Sequence, residues 1–301
     1  MNYRILLLPL AALALSAQVE PPRRSGAVVI ATSPQLAPVL RDLAVRFEHE
    51  AGGSPITVVA AGSDVAMARL TSGSADAAII GRAAFDPEAK AYEWVYRQPP
   101  ASRAVFSGSF AAPGKSPALA FRVNAANPLK AITLDQIKRA FAQSDAGLTW
   151  RALGVGGALA DRRVMLVMPD AEGGTGRYLR AAALSGQVQF PWNRVREIAP
   201  AGFGDDQYTA RITAAVVRDP AAIGAGDGAA AAGTRVLAVI VDGKACYPVD
   251  PCYPFTRTVM AYSDPAPRAP VAAFFQFLDS PAARALIAKD GYRPLETGGP
   301  R

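Results

Sequence analysis

The chain is short of the residues on which most protein chemistry depends. It has one histidine, His49, and two cysteines, Cys246 and Cys252, in 301 residues. A zinc site built from His and Cys would run out of ligands. A Ser-His-Asp triad or Cys-His dyad would have to use His49. Lysine is also scarce, at 6 of the 32 basic residues, against 26 arginines. No basic run interleaves with aromatics, which removes the usual footprint of a nucleic-acid binder. Charged residues make up 19% of the chain and hydrophobic ones 50%, so a packed core is affordable and general disorder is excluded. The formal charge of +7 describes a mildly basic surface that attracts anions.

Long apolar runs are equally scarce, and the one near the start is short. In Met1–Ala17, Arg4 precedes an apolar stretch from Ile5 to Leu15, followed by Ser16 and Ala17. This is the pattern of a cleaved export signal, too short to span a bilayer. Residues 1–17 are therefore expected to be removed, leaving a protein of the periplasm. No cysteine follows to carry a lipid anchor. In an oxidising compartment Cys246 and Cys252, which close a small loop containing two prolines, are expected to form a disulfide.

The body alternates strand and helix signals. Val28–Ala31, Ile56–Ala60 and Ala77–Ile80 read as strands. The first is followed by Ser33-Pro34 and a helical pattern of Leu36, Val39, Leu40, Leu43 and Phe47. The second runs into Gly62-Ser63-Asp64 and a helix with Val65, Ala68 and Leu70; the third ends in Gly81-Arg82. Residues 101–117, rich in Ala, Ser, Gly and Pro, read as a crossing segment. Beyond it, Leu119–Val123 and Val164–Met168 read as strands, and Thr133-Leu-Asp-Gln136 as a capping box. Gly173-Gly174-Thr175-Gly176 opens another helix, and a Gly/Ala-rich stretch from Gly224 to Gly233 suggests a return crossing before a strand at Val236–Val241. Val271–Leu278 reads as a helix, and Ser280-Pro281 begins a last one. This rhythm predicts an α/β protein with mainly parallel sheets flanked by helices.

Several ordered segments carry a resemblance. They are Leu119–Lys130, Thr133–Phe141 with Thr149-Trp150, Ala215–Gly224, Tyr253–Arg257 and Phe274–Pro281 through Pro294. The set resembles the periplasmic phosphate-binding component of ABC transporters (PstS-like), within the type II periplasmic-binding-protein fold. The resemblance implies two lobes joined by two crossovers, with lobe one at residues 26–112 plus 226–301 and lobe two at 113–225. It implies an oxyanion, phosphate or a relative, clamped in the cleft and delivered to ABC permease subunits by a monomer without cofactor, metal or catalysis.

Three turns are candidates for the anion, since helix N-termini offer converging N–H groups and a favourable dipole. The first is Ser33-Pro34-Gln35-Leu36, where Pro34 leaves the amides of Gln35 and Leu36. The second is Gly62-Ser63, with Ser63 matching the family's serine; the third is Gly173-Gly174-Thr175, where Gly173 replaces the family's serine. Ser33 and Ser63 read equally well as plain N-caps. Two family features are missing. The third strand ends in Gly81-Arg82 with no carboxylate, and Pro169-Asp170-Ala171-Glu172 holds no arginine before the glycine turn. Arg82 is the expected substitute cation, forking onto the anion, with a surface position as the alternative; Arg177 is a weaker candidate on the next helix. An exported sensor or adhesion module with a degenerate site is the alternative function. A metal-assisted hydrolase using Asp64 or Asp205-Asp206 is a third reading, against which such adjacent acids are ordinary turn residues.

Overall fold

The computed structural model describes residues 27–50, 52–108, 118–142, 147–184, 190–199, 208–226 and 231–295. The expected export signal at residues 1–17 and Asp205-Asp206 lie outside the described residues. In chain order the elements are β1 (Val28–Thr32), α1 (Ala37–Glu50), β2 (Ile56–Ala60), α2 (Ser63–Thr71), β3 (Ala77–Ile80), α3 (Asp86–Tyr96) and β4 (Ala101–Ser107). They continue with β5 (Ala120–Asn124), β6 (Ala131–Thr133), α4 (Leu134–Phe141), β7 (Met165–Pro169), α5 (Gly174–Leu184), β8 (Val195–Ile198), α6 (Tyr208–Arg218) and β9 (Ala222–Gly226). The last are β10 (Thr234–Val236), β11 (Ala238–Val241), β12 (Lys244–Cys246), β13 (Thr258–Ser263), α7 (Ala269–Phe277), α8 (Pro281–Lys289) and β14 (Arg293–Pro294).

Two sheets organise the chain. The first has the order β14-β4-β13-β3-β1-β2 and the second β10-β5-β9-β7-β8. Both are mixed. β1 runs parallel to β2 and β3, and β7 runs parallel to β8 and β9, while β13 and β5 bring antiparallel pairings. The strands alternate their side chains between faces. In β1 and β3, Val28, Ile30, Ala77 and Ile79 enter a core with Leu36, Leu40, Leu43, Phe47 and Phe274 of the covering helices. Ala31, Ala78 and Ile80 turn to the other face, against Ala66, Met67 and Leu70 of α2 and Tyr92 of α3. The second sheet has the same layering: Phe121, Leu166, Met168 and Ile223 face one core, and Val167 packs with Ile212 and Val216 of α6.

The segment 101–117 was expected to cross between lobes, yet Ala101–Ser107 is strand β4, paired along its length with β13. Its Ala- and Ser-rich composition hides a strand whose partner arrives more than 150 residues later in the chain, so no local pattern announces it. The second crossing also moves. β10 pairs with β5 and β11 with β6, and Leu237, Val239, Cys246, Tyr253 and Phe255 lie in the second core. The chain thus rejoins the first sheet at Thr258, not near residue 226. The described residues on either side of the first crossing pair with the second: Gly108 N–H donates to Arg257 O at 2.8 Å and Leu119 N–H to Phe255 O at 3.0 Å. Cys246 and Cys252 are joined in a disulfide.

Candidate functional site

Because β1, β2 and β3 are parallel, the turns after them emerge at one edge of the first sheet, where open α/β sheets bind ligands. The Thr32 hydroxyl donates to Ile79 O at 2.6 Å and ties the ends of β1 and β3 together. The Ser33–Leu36 turn follows. Ser33 is buried, and its carbonyl accepts from Leu36 N–H and Ala37 N–H, both at 3.1 Å. The Leu36 amide is therefore spent inside the turn, contrary to the expectation that it stays open for a ligand. The Gln35 carbonyl accepts from the Tyr292 hydroxyl at 3.3 Å.

The turn after β2 also differs from expectation. The N-cap of α2 is Gly62, and no side chain caps the helix; Ser63 is its first residue. The carbonyl of Gly62 starts the helix by accepting from Ala66 N–H at 2.8 Å. Ser63 is thus no cap, and its hydroxyl is left for other work. The first-turn amides of such a helix have no acceptor within it.

After β3, Gly81 is buried and Arg82 is 3% exposed. Arg82 does not lie on the surface, and its fork is already taken. Nη1 and Nη2 donate to the two carboxylate oxygens of Glu88, each at 2.7 Å. Nη2 also donates to Asp64, and Nη1 to Ala83 O at 3.0 Å. The expected bidentate grip on an anion is therefore corrected: Glu88 occupies the Nη1/Nη2 fork, and Asp64 and Ala83 O take the other N–H groups of those nitrogens, so none is left to pair with Nε in a side-on fork. What remains is Nε–H, buried and without a hydrogen-bond partner among the described residues. Glu88 also accepts from Phe85 N–H at 2.8 Å at the start of α3. The Phe85 ring lies 3.7 Å beneath the Arg82 guanidinium carbon. Next to it, Ala84 N–H donates to the Tyr262 hydroxyl at 2.7 Å; burial pushes this phenol's pKa up, partly offset by that amide and the Arg82 charge.

The second lobe contributes the N-terminus of α5. Gly173 N–H donates to Asp170 O at 3.1 Å, and Gly173 O accepts from Arg177 N–H at 3.0 Å. Glycine is obligatory at 176, since a Cβ there would stand 2.2 Å from Asp170 O and 2.6 Å from Ala171 Cα. Gly174 faces across the cleft: a Cβ on it would lie 3.5 Å from Arg82 Nε and 3.9 Å from the Ser63 hydroxyl. The structure thus brings together Ser63, Arg82 and Gly174, with Gly173 and Thr175 flanking the last. Arg177, one turn along, lies over the opposite lobe's Phe85 ring at 4.6 Å and pairs with Glu172 at 3.3 Å. Tyr178 ties α5 to the second crossing: its hydroxyl donates to Thr256 O at 3.3 Å, and Arg257 covers its ring at 4.8 Å.

Sequence reasoning missed Phe85 and Glu88. A signal for them exists in Phe85-Asp-Pro-Glu88, which puts proline and two acids in a helical first turn. Among the described residues, no group of three or more His, Cys, Asp or Glu side chains could hold a metal ion.

Two α/β lobes whose helix N-termini face each other define a class, and comparison with known proteins names it. The model of the PBP superfamily domain matches residues 17–285, and the chain belongs to that superfamily. It is 27% identical over 258 residues to the phosphate-binding protein PstS of Pseudomonas aeruginosa, covering 80% of this chain and 74% of that protein. Similar solved structures include an ABC-type phosphate transport receptor from Vibrio cholerae, with TM-score 0.64, 19% identity and coverage of 90% of this chain and 100% of that one. A Clostridium perfringens protein with bound phosphate gives TM-score 0.62 and 18% identity, again over 90% and 100% of the two chains. These likenesses show the fold, the two-lobed type II arrangement.

Proposed function

We propose that this chain is an exported substrate-binding protein that holds phosphate or a similar oxyanion between its lobes and hands it to an ABC permease. Its work is binding and release, without catalysis, metal or cofactor. The observation that carries this reading is the convergence of Ser63, the partnerless Nε–H of Arg82 and the start of α5 on one small space. An unpaired buried N–H is costly, and an oxyanion resting on two helix N-termini would satisfy it. The Ser63 hydroxyl and the first-turn amides of α2 and α5 supply the remaining donors, with Gly174 and Thr175 on one side and Gly62 and Gly81 on the other, whereas the Gly173 amide is spent on Asp170 O. The Ser33-Pro34-Gln35 turn closes the same sheet edge, with its part in ligand contact reduced to Ser33 and Gln35. The likeness to the phosphate-binding protein of Pseudomonas aeruginosa and the phosphate transport receptor of Vibrio cholerae supports the same ligand class.

Thermal denaturation of the mature protein with phosphate, sulfate, arsenate and molybdate tests the reading. At about one hundred times its Kd, a bound anion should stabilise the fold by about 2.7 kcal/mol. No shift with any of these anions would remove the oxyanion assignment.

A further inference from the structure

We propose that Phe85 is the latch that couples anion binding to lobe closure, a positioning residue that the ligand never touches. This rests on the preceding reading that the anion sits between the lobes.

Phe85 precedes α3 in the first lobe, and two guanidinium groups, one from each lobe, lie over its ring. Arg82, of its own lobe, lies 3.7 Å from the ring centre, and Arg177, of the opposite lobe, lies 4.6 Å from it. The face of an aromatic ring attracts a cation, and does so more strongly where water is displaced. The two cations would repel each other if bare, but neither is. Arg82 pairs with Asp64 and Glu88, and Arg177 pairs with Glu172. Each lobe therefore brings a locally compensated guanidinium to one shared ring.

The geometry gives the two contacts different duties. Glu88 and the ring fix the plane of Arg82 within the first lobe, and that plane leaves Nε facing Gly174. The Arg177 contact spans the lobes, so it exists in the closed form alone and favours that form. Arg177 also lines a groove of about 540 Å³ together with Asp64, Met67, Glu88, Ala91 and Val95 of the first lobe, a second place where it meets that lobe. Loss of the ring should therefore speed anion release without altering which anion is chosen.

The test uses the mature chain, with inorganic phosphate as the probe. Calorimetry and stopped-flow release are measured for Phe85→Leu, Phe85→Trp, Arg177→Met and the double variant Phe85→Leu/Arg177→Met. Phe85→Leu should weaken binding about tenfold, mainly through faster release, while keeping the order of preference among phosphate, sulfate and arsenate. Phe85→Trp, which keeps an aromatic face, should retain the affinity of the parent. Arg177→Met should reproduce the loss, and the double variant should lose no more than either single one, because both remove the same contact. Solution scattering at saturating phosphate should show Phe85→Leu more extended than the parent. Unchanged affinity in Phe85→Leu, or additive losses in the double variant, overturns the latch. Should the parent bind no phosphate, the site reading fails first. Scattering then decides the latch alone, and equal radii of gyration for the parent, Phe85→Leu and Arg177→Met sink it.

Discussion

The two helix ends that face each other across the cleft are built on opposite principles. The start of α2 is rich in side chains: Ser63 and Asp64 occupy its first turn, and the Asp64–Arg82–Glu88 ion pairs stand beside it. The start of α5 is almost bare, with Gly173, Gly174 and Gly176 and no acid in its first turn. One end can be tuned by changing functional groups; the other acts through main-chain N–H groups and admits change only by adding atoms. Arg82 shows the consequence. Four of its five N–H groups serve the protein, and the fifth looks toward the bare glycines.

The sharpest way to break the side-chain end is Arg82→Ala. Glu88 is 13% exposed and would lose its cation, leaving a largely buried carboxylate uncompensated. The fold should lose about 3 kcal/mol, read by urea denaturation, and anion affinity should fall with it. Arg82→Lys separates the two effects. An ammonium can pair with Glu88 and restore part of the stability, yet it has no Nε–H, so affinity should stay low. Affinity restored by lysine would show that charge alone, not the Nε–H, serves the ligand.

The backbone end breaks at Gly176. An alanine there drives its methyl into the main chain at Asp170 and Ala171, and main chain cannot step aside as a side chain can. A loss of about 2–3 kcal/mol is expected, with the start of α5 displaced. A melting temperature equal to the parent's would mean that this turn has room that the structure denies it.

How far these two ends could be read from sequence differs for the same physical reason. Glycine turns after β-branched strands are local signals, and Gly62-Ser63 and Gly173–Gly176 were legible on that basis. So were the strands Ile56–Ala60 and Ala77–Ile80, and the capping box in which Thr133 accepts from Gln136 N–H at 3.1 Å. Elements defined by distant partners were not legible. β4 has little alternation of its own and is placed by β13. α3 buries Tyr92 alone and presents no apolar stripe, so Phe85 and Glu88 went with it. The fate of Arg82 depended on Glu88 and Asp64, which meet it through space rather than along a motif. Only the N-cap reading of Ser63 failed, and narrowly, because the helix begins one residue earlier than a serine cap requires.

That last point is testable at a smaller scale. Ser63→Ala should leave stability within about 0.5 kcal/mol of the parent, since no cap is lost. Its anion affinity should fall by about 1–3 kcal/mol, the usual effect of removing a donor to a charged acceptor. Calorimetry and thermal melting on the same sample read both. A destabilisation near 1 kcal/mol with unchanged affinity would return Ser63 to the role of a cap.

The smallest expected change in stability belongs to Gly174→Ala, and it sharpens the comparison most. Gly174 is not among the glycines with positive φ, so alanine fits its backbone. Its Cβ would meet Arg82 Nε and the Ser63 hydroxyl at 3.5 and 3.9 Å, ordinary contact distances that displace nothing. A helix gains from alanine over glycine, so the fold should be unchanged or more stable by up to about 1 kcal/mol. The methyl nevertheless occupies the one space on which the Nε–H, the hydroxyl and the α5 amides converge. Anion binding should weaken roughly tenfold to a hundredfold, as expected when about 1–3 kcal/mol of overpacking is forced on a filled site. A protein that melts at or above the parent's temperature but takes up phosphate poorly would locate the ligand between the two helix ends. Undiminished phosphate affinity in Gly174→Ala would place the anion elsewhere along the sheet edge, nearer the Ser33 turn, and leave the Nε–H of Arg82 facing no ligand.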